Sequence, residues 1–313
     1  MTDENIISEE TAPAGPTRCG FIAIVGAPNA GKSTLVNRLV GTKVSIVSPK
    51  VQTTRARVLG IAMIDELAAQ VIFIDTPGIF APKRRLERAM VHAAWSGASD
   101  ADLVTLVVDA ERGLNDDVRL IVEKLKEGNR RAILALNKID LVKRDTLLAL
   151  TAELDAFGIF DKVFMISAEK GDGTADLLRY YGSLLPEGPW HFPEDQVSDM
   201  PMRLLAAEIT REQIFRQLHQ ELPYSTAVET EQWEEREDGS VRIDQTVYVQ
   251  REGQKAIVLG KQGRQIKTIG AFARTELEEI LERRVHLFLH VKVRENWLEQ
   301  RQHYQDMGLE FDV

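Results

Sequence analysis

Short apolar runs alternate with helical periodicity through the first half of the chain. Phe21-Ile22-Ala23-Ile24-Val25 reads as a buried strand, and Leu35, Val36, Leu39 and Val40 then recur at helical spacing. Two strands are predicted over Arg57–Glu66 and Ala69–Asp75, and a third over Leu103–Asp109. A helix follows over Asp116–Lys126, then apolar runs at Ala132–Leu136 and Val163–Ile166. Strands separated by helices and loops predict an α/β domain with a mostly parallel sheet flanked by helices.

The pattern breaks at Leu184–Pro193, where Pro186, Pro189 and Pro193 end helices and stiffen a connector. A helix begins near Pro201, with Leu204, Leu205, Ile209, Phe215 and Leu218 on one face. Strands over Val228–Glu237 and Ser240–Gln250 flank Asp238-Gly239, a hairpin signal. Trp233 in this hairpin reads as core or sheet face. A short helix, a glycine turn, a helix over Arg264–Leu281 and a strand over Val285–Val293 close the pattern. The expected division is a tail at 1–17, an α/β domain at 18–186, a linker at 187–200, a smaller α+β domain at 201–300 and a C-terminal tail at 301–313.

Composition adds limits. Of 313 residues, 44% are apolar and 28% charged, which suits about two globular domains. The net charge of −9 confines any nucleic-acid contact to a local basic patch. The single cysteine, Cys19, excludes an intrachain disulfide framework and a multi-cysteine zinc site, and fits a reducing compartment. No apolar run approaches the ~20 residues of a membrane span. The acidic, then Ala/Pro/Gly-rich start lacks the pattern of a signal peptide and reads as disordered.

Between the first strand and helix lies Gly26-Ala27-Pro28-Asn29-Ala30-Gly31-Lys32-Ser33, followed by Thr34. This G-x-x-x-x-G-K-[ST] spacing lets backbone N–H groups and a helix N-terminus cradle phosphates. Lys32 would reach the β- and γ-phosphates, and the Ser33 hydroxyl would ligate Mg²⁺. Asp75-Thr76-Pro77-Gly78 ends the strand that follows. Alone it reads as a plain turn; here Asp75 is placed to hold Mg²⁺ through water and the Gly78 N–H to meet a γ-phosphate. Within Gln52-Thr53-Thr54-Arg55, Thr54 is the chosen switch threonine for Mg²⁺.

Asn137-Lys138-Ile139-Asp140 follows a later strand. The Asp140 carboxylate can accept from guanine N1–H and the 2-amino group, a pair adenine lacks. Asn137 would tie this loop to the phosphate loop, and the Lys138 stem would cover the base. In Ser167-Ala168-Glu169, the Ala168 N–H can meet guanine O6. The ordered set identifies a GTP-binding domain, with Lys32, Thr54, Asp75 and Gly78 as catalytic parts. Ile79 stands where a Ras-like enzyme has glutamine, so intrinsic hydrolysis is expected to be slow and stimulated by a partner or a second cation. Asn29 is either a ligand for that cation, K⁺, or a structural residue of the loop.

In the second half, Gly260-Lys261-Gln262-Gly263 joins two helices in the order α-β-β-α-α-β, that of a KH domain. Two glycines leave a sugar–phosphate backbone room to approach. Ile257 and Ile266 are candidates for an apolar groove beside it, and Lys261, Gln262, Arg264 and Lys267 for contacts along the turn. Lys255, Lys261, Arg264, Lys267 and Arg274 face no acidic residue between Gly253 and Arg274, which favours RNA.

The five boxes G-A-P-N-A-G-K-S, Q-T-T-R, D-T-P-G, N-K-I-D and S-A-E-K-G resemble those of the translation-factor-related GTPases. With V-L-G-K-Q-G-R-Q-I-K-T-I-G and H-L-F-L-H-V-K-V-R-E-N-W, residues 18 to 300 resemble the bacterial Era GTPase family. The resemblance implies a P-loop GTPase domain before a type II KH domain, with GTP or GDP as ligand and Mg²⁺ as cofactor. It also implies a role in 30S assembly, bound to the 3′ end of 16S rRNA; a monomer is expected. Cytoplasmic residence with peripheral association at the inner membrane is implied likewise. An apolar residue at Ile79 is usual in that family. Two other readings compete: an RNA-modifying enzyme gated by GTP, for which the second half offers no catalytic constellation, and a signalling or membrane-associated GTPase whose second domain binds a protein.

Overall fold

The computed structural model describes residues 16–50, 53–218, 222–295, 297 and 300–313. Residues 1–15 of the expected tail, and Val51 and Gln52, lie outside the described residues. A six-stranded sheet is ordered β2-β3-β1-β4-β5-β6. Its strands are β1 (Arg18–Val25), β2 (Val58–Ile64), β3 (Ala69–Asp75), β4 (Leu103–Asp109), β5 (Ala132–Asn137) and β6 (Phe160–Met165). All neighbours run parallel except the edge pair β2–β3. Central strands buried on both faces explain the unbroken apolar runs. One face packs α2 (Arg85–Asp100), α3 (Asp116–Glu127) and α4 (Arg144–Asp155); the other packs α1 (Lys32–Val40) and α5 (Thr174–Leu184). α3 shows the local logic: the Asn115 side chain caps Val118 N–H at 3.0 Å, acids open the helix and lysines close it.

The connector does not hang free. It lies along the exposed edge of β2, with the Ile61 N–H donating to Val197 O at 2.9 Å and Ser198 Oγ to Leu59 O at 2.7 Å. The Gln70 amide holds the backbone of His191 and Phe192, and Thr17, expected in the tail, bonds Gly188 in both directions. An edge strand covered in this way cannot recruit another chain.

The second half contains α6 (Met202–Gln217), β7 (Ala227–Glu235), β8 (Val241–Val249), α7 (Glu252–Leu259), α8 (Arg264–Leu281) and β9 (Val285–Val293). Its sheet is β7-β8-β9, antiparallel then parallel. Trp233 is half-buried against the core formed by α6, α8 and the sheet. The sequence predicts one apolar face on α6; instead the helix is buried nearly all round from Leu205 to Phe215, while Leu204 is exposed. The cause is position: one side of α6 covers the small sheet and the other meets residues 43–55 of the first half. Arg211 and Glu212 are buried on that second side, bonded to Thr53 O and Lys43, while buried Thr210 bonds Gln245 of β8 and Gln213 bonds Glu276 of α8. Residues 301–313, expected as a tail, also differ: α9 (Arg301–Asp306) and the residues after it pack on α2.

Lys43 stands between Glu212 of α6 and Glu276 of α8, bonded to both. Burial pushes the Glu212 carboxyl up, and Lys43 opposes the shift. Lys43→Met should therefore destabilise the chain by about 3 kcal/mol near neutral pH, measured by urea unfolding. A carboxyl with a raised pKa holds its proton more readily folded than unfolded, so the deficit should shrink as pH falls toward the carboxylate range. A deficit independent of pH would contradict this assignment.

Candidate nucleotide site and RNA interface

The phosphate loop runs from the end of β1 into α1. Gly31 caps α1 with φ 94°, and a Cβ there would lie 2.2 Å from Asn137 Nδ2, so only glycine fits. Lys32 is buried, its ammonium donating to Gly26 O at 3.1 Å and Ala27 O at 3.0 Å. Burial lowers its pKa to about 8, opposed by Asp75. Asp75 is fully buried at the end of β3, and its Oδ2 accepts from Ser33 Oγ at 2.6 Å and Ser45 Oγ at 2.7 Å. Thr54 Oγ1 lies 2.9 Å from Ser33 Oγ. Among the described residues, Oδ1 of Asp75 has no hydrogen-bond partner. A buried carboxylate oxygen left over beside two hydroxyls suits a hard cation that keeps water in its shell, so these residues fit Mg²⁺. Burial pushes the Asp75 carboxyl up, against the two serine hydrogen bonds. Gly78 packs on Pro28, and the Thr76 hydroxyl donates to Ile24 O at 2.8 Å, fixing the Asp75–Gly78 turn to the loop. Asn29 donates its amide to Pro49 O at 3.0 Å, leaving Oδ1 as the only atom of that side chain suited to a cation.

The base end is built around Asn137. Its Nδ2 donates to Ala30 O at 2.8 Å, and its Oδ1 accepts from Lys138 N and Ala168 N, both at 2.9 Å. The Ala168 N–H, expected to meet guanine O6, is thus engaged by Asn137. Lys138 reaches Asp109 at 2.6 Å, and Asp140 is exposed in the turn that follows. Ser167 is buried and its Oγ accepts from Lys170 N at 3.1 Å; Glu169 is exposed. A cleft of about 410 Å³ is lined by Asn29, Lys32, Ser33, Thr34, Thr54, Gly78, Lys138 and Glu169, with Arg112 added.

The far interface lies where α7 ends and α8 begins. Gly260 has φ 68° and a virtual Cβ 2.6 Å from Gln265, whereas Gly263, at φ 73°, has open space around it. Lys261, Gln262, Arg264 and Lys267 are exposed, as is Ile257. Ile266 is half-buried and turned partly into the core with Val258 and Ile269, so the two isoleucines are unequal walls for a groove.

Residues 21–138 match the family model described as "50S ribosome-binding GTPase", and residues 221–298 match "KH domain". GTPase Era of Sinorhizobium medicae is 58% identical over 312 residues, covering 99% of both chains. GTPase Era of Agrobacterium fabrum is 60% identical over 312 residues, 99% of this chain and 98% of its own. The chain belongs to the GTPase Era family. Two solved Era structures superpose with a TM-score of 0.88 at 39% identity, covering 95% of this chain and all of theirs. One is a single-substitution variant of Aquifex aeolicus Era bound to GDP and AlF₄⁻; the other is Era with MgGDPNP and nucleotides 1506–1542 of 16S ribosomal RNA.

Within this Era-family GTPase, Ile79 is fully buried in the core and only its N–H, donating to Gly26 O at 3.1 Å, faces the loop. Its side chain cannot orient water. Several working residues escaped sequence reasoning. Ser45 sits in a polar stretch without a motif, and Arg38 of α1 bonds the carbonyls of Ala168 and Glu169. The strand-end position of Asp109, opposite Asn137 in the ladder, was the one available signal for its pairing with Lys138.

Placing phosphates beside Lys32 should return its pKa toward the ordinary lysine range. Binding should then take up a measurable fraction of a proton near pH 8.5 and much less near pH 7. Titration calorimetry in two buffers of different ionisation enthalpy measures this; equal enthalpies at the higher pH would contradict it.

Proposed function

We propose that this chain is a GTP-hydrolysing switch that binds the 3′ end of small-subunit rRNA through its KH domain and acts in 30S assembly. The observation that carries the reading is a shared segment. Thr54 meets Ser33 at the candidate metal site, while the next residue, Arg55, is buried among KH-side carbonyls. The site residues support a division of labour. Lys32 and the loop amides neutralise phosphate charge, Asp140 selects guanine, and the Gly78 N–H marks the γ-phosphate. Mg²⁺, held by Ser33, Thr54 and, through water, Asp75, would supply further charge neutralisation. With Ile79 in the core, the aligned water depends on a partner or on K⁺ at Asn29, so intrinsic turnover is slow.

The proposed boundaries are a GTPase domain at 18–186, a linker at 187–200 and a KH domain at 201–300. A monomer in the cytoplasm, peripherally associated with the inner membrane, completes the proposal. Among the described residues no helix is long and apolar enough to cross a membrane.

Gly263→Asp tests the RNA assignment better than a change at Gly260, because the site is open and aspartate tolerates the left-handed region. Filter binding of single-stranded 16S 3′-end RNA should weaken at least about tenfold through charge repulsion, with GTP binding unchanged. Unchanged RNA binding would favour a protein partner for the second domain.

A further inference from the structure

Beyond β9 the chain turns back toward the GTPase half. Trp297 is 1% exposed and donates its indole N–H to Ser225 O at 3.2 Å. The residues after it settle on α2, the helix entered from the loop that opens at Gly78. Tyr304 and Leu309 are buried against Ala89 and Met90, and Phe311 meets Tyr304 edge-on at 4.9 Å. Arg85 of α2 lies 4.4 Å over the Phe311 ring, and Arg88 Nε donates to Val313 O at 3.3 Å.

We propose that residues 300–313 are a strap by which the KH half reads the position of α2, and so of the γ-phosphate loop, independently of residues 43–55. The inference rests on the GTP–RNA coupling proposed above. Three observations support it. The strap is covalently continuous with β9, a strand of the KH sheet. Among the described residues its apolar cluster with the first half is formed by α2 side chains, Leu86, Ala89, Met90 and Ala93, so it follows α2 when α2 shifts. A cavity of about 390 Å³ between residues 44–58 and α6, lined also by Trp297, reaches the strap at Met307. Unfilled space at that place lets the strap and the KH half move without disrupting a close-packed core. A gap of about 1 Å already forfeits up to half of a packing contact, so a small displacement of α2 weakens the docking.

Hydrogen exchange of α2 tests this in three proteins: the full chain, a chain ending at residue 299, and the full-length Leu309→Ala/Phe311→Ala variant. Each is loaded with a non-hydrolysable GTP analogue, with and without single-stranded 16S 3′-end RNA. In the full chain RNA should change α2 exchange by at least about threefold. Both altered proteins should bind RNA within about twofold of the full chain yet show no α2 response. An α2 response that persists in either altered protein overturns the strap. So does its absence from a full chain whose RNA affinity depends on nucleotide. Absence of RNA binding in all three overturns the proposed function, and the strap's role with it.

Discussion

Arg55 occupies a place that no other side chain could hold in the same way. Its guanidinium donates to Thr226 O at 2.8 Å, Tyr224 O at 2.9 Å and Pro223 O at 3.3 Å, with the rings of Phe215 and Trp297 each 5.9 Å away. Three carbonyls at one turn need a planar fork of donors, and a lysine ammonium cannot span them. Burial and neighbouring Arg211 lower its pKa to about 9, which leaves it charged near neutrality. Removing such a cation strands several buried carbonyls at once, each costing about 1–3 kcal/mol.

Around that anchor the two halves share one segment. Arg211 donates to Thr53 O at 2.6 Å, Arg216 to Val47 O at 3.2 Å, and Lys50 to the carbonyls of Phe215 and Leu218. The same segment reaches the phosphate side through Ser45, Pro49 and Thr54. A segment with partners on both sides cannot rearrange on one without altering the other. Coupling then needs no long pathway: one element has two sets of neighbours, and each ligand biases its arrangement.

The nucleotide boxes were legible because phosphate, cation and base each demand particular residue types at fixed strand ends. The KH order was legible from the hairpin and from G-x-x-G. Other features were not. Helix α2 presents small residues, Ala89, Ala94, Gly97 and Ala98, so its apolar stripe is faint. Helix α6 is buried on two sides, which erases the one-sided pattern that marks a surface helix. Arg55 binds backbone carbonyls about 170 residues away, and a carbonyl leaves no trace in sequence. The strap, whose six-residue helix lies outside every motif, packs on α2.

The central claim is that Thr54 and Arg55 tie the nucleotide pocket to the RNA domain. The most direct measurement is the ratio of RNA dissociation constants in the GDP and GTP-analogue states, for the native chain and for Arg55→Lys. The expected result is a ratio of about fivefold or more in the native chain, at least halved in the variant while guanine-nucleotide affinity is kept. A ratio that is the same in both proteins would contradict the account.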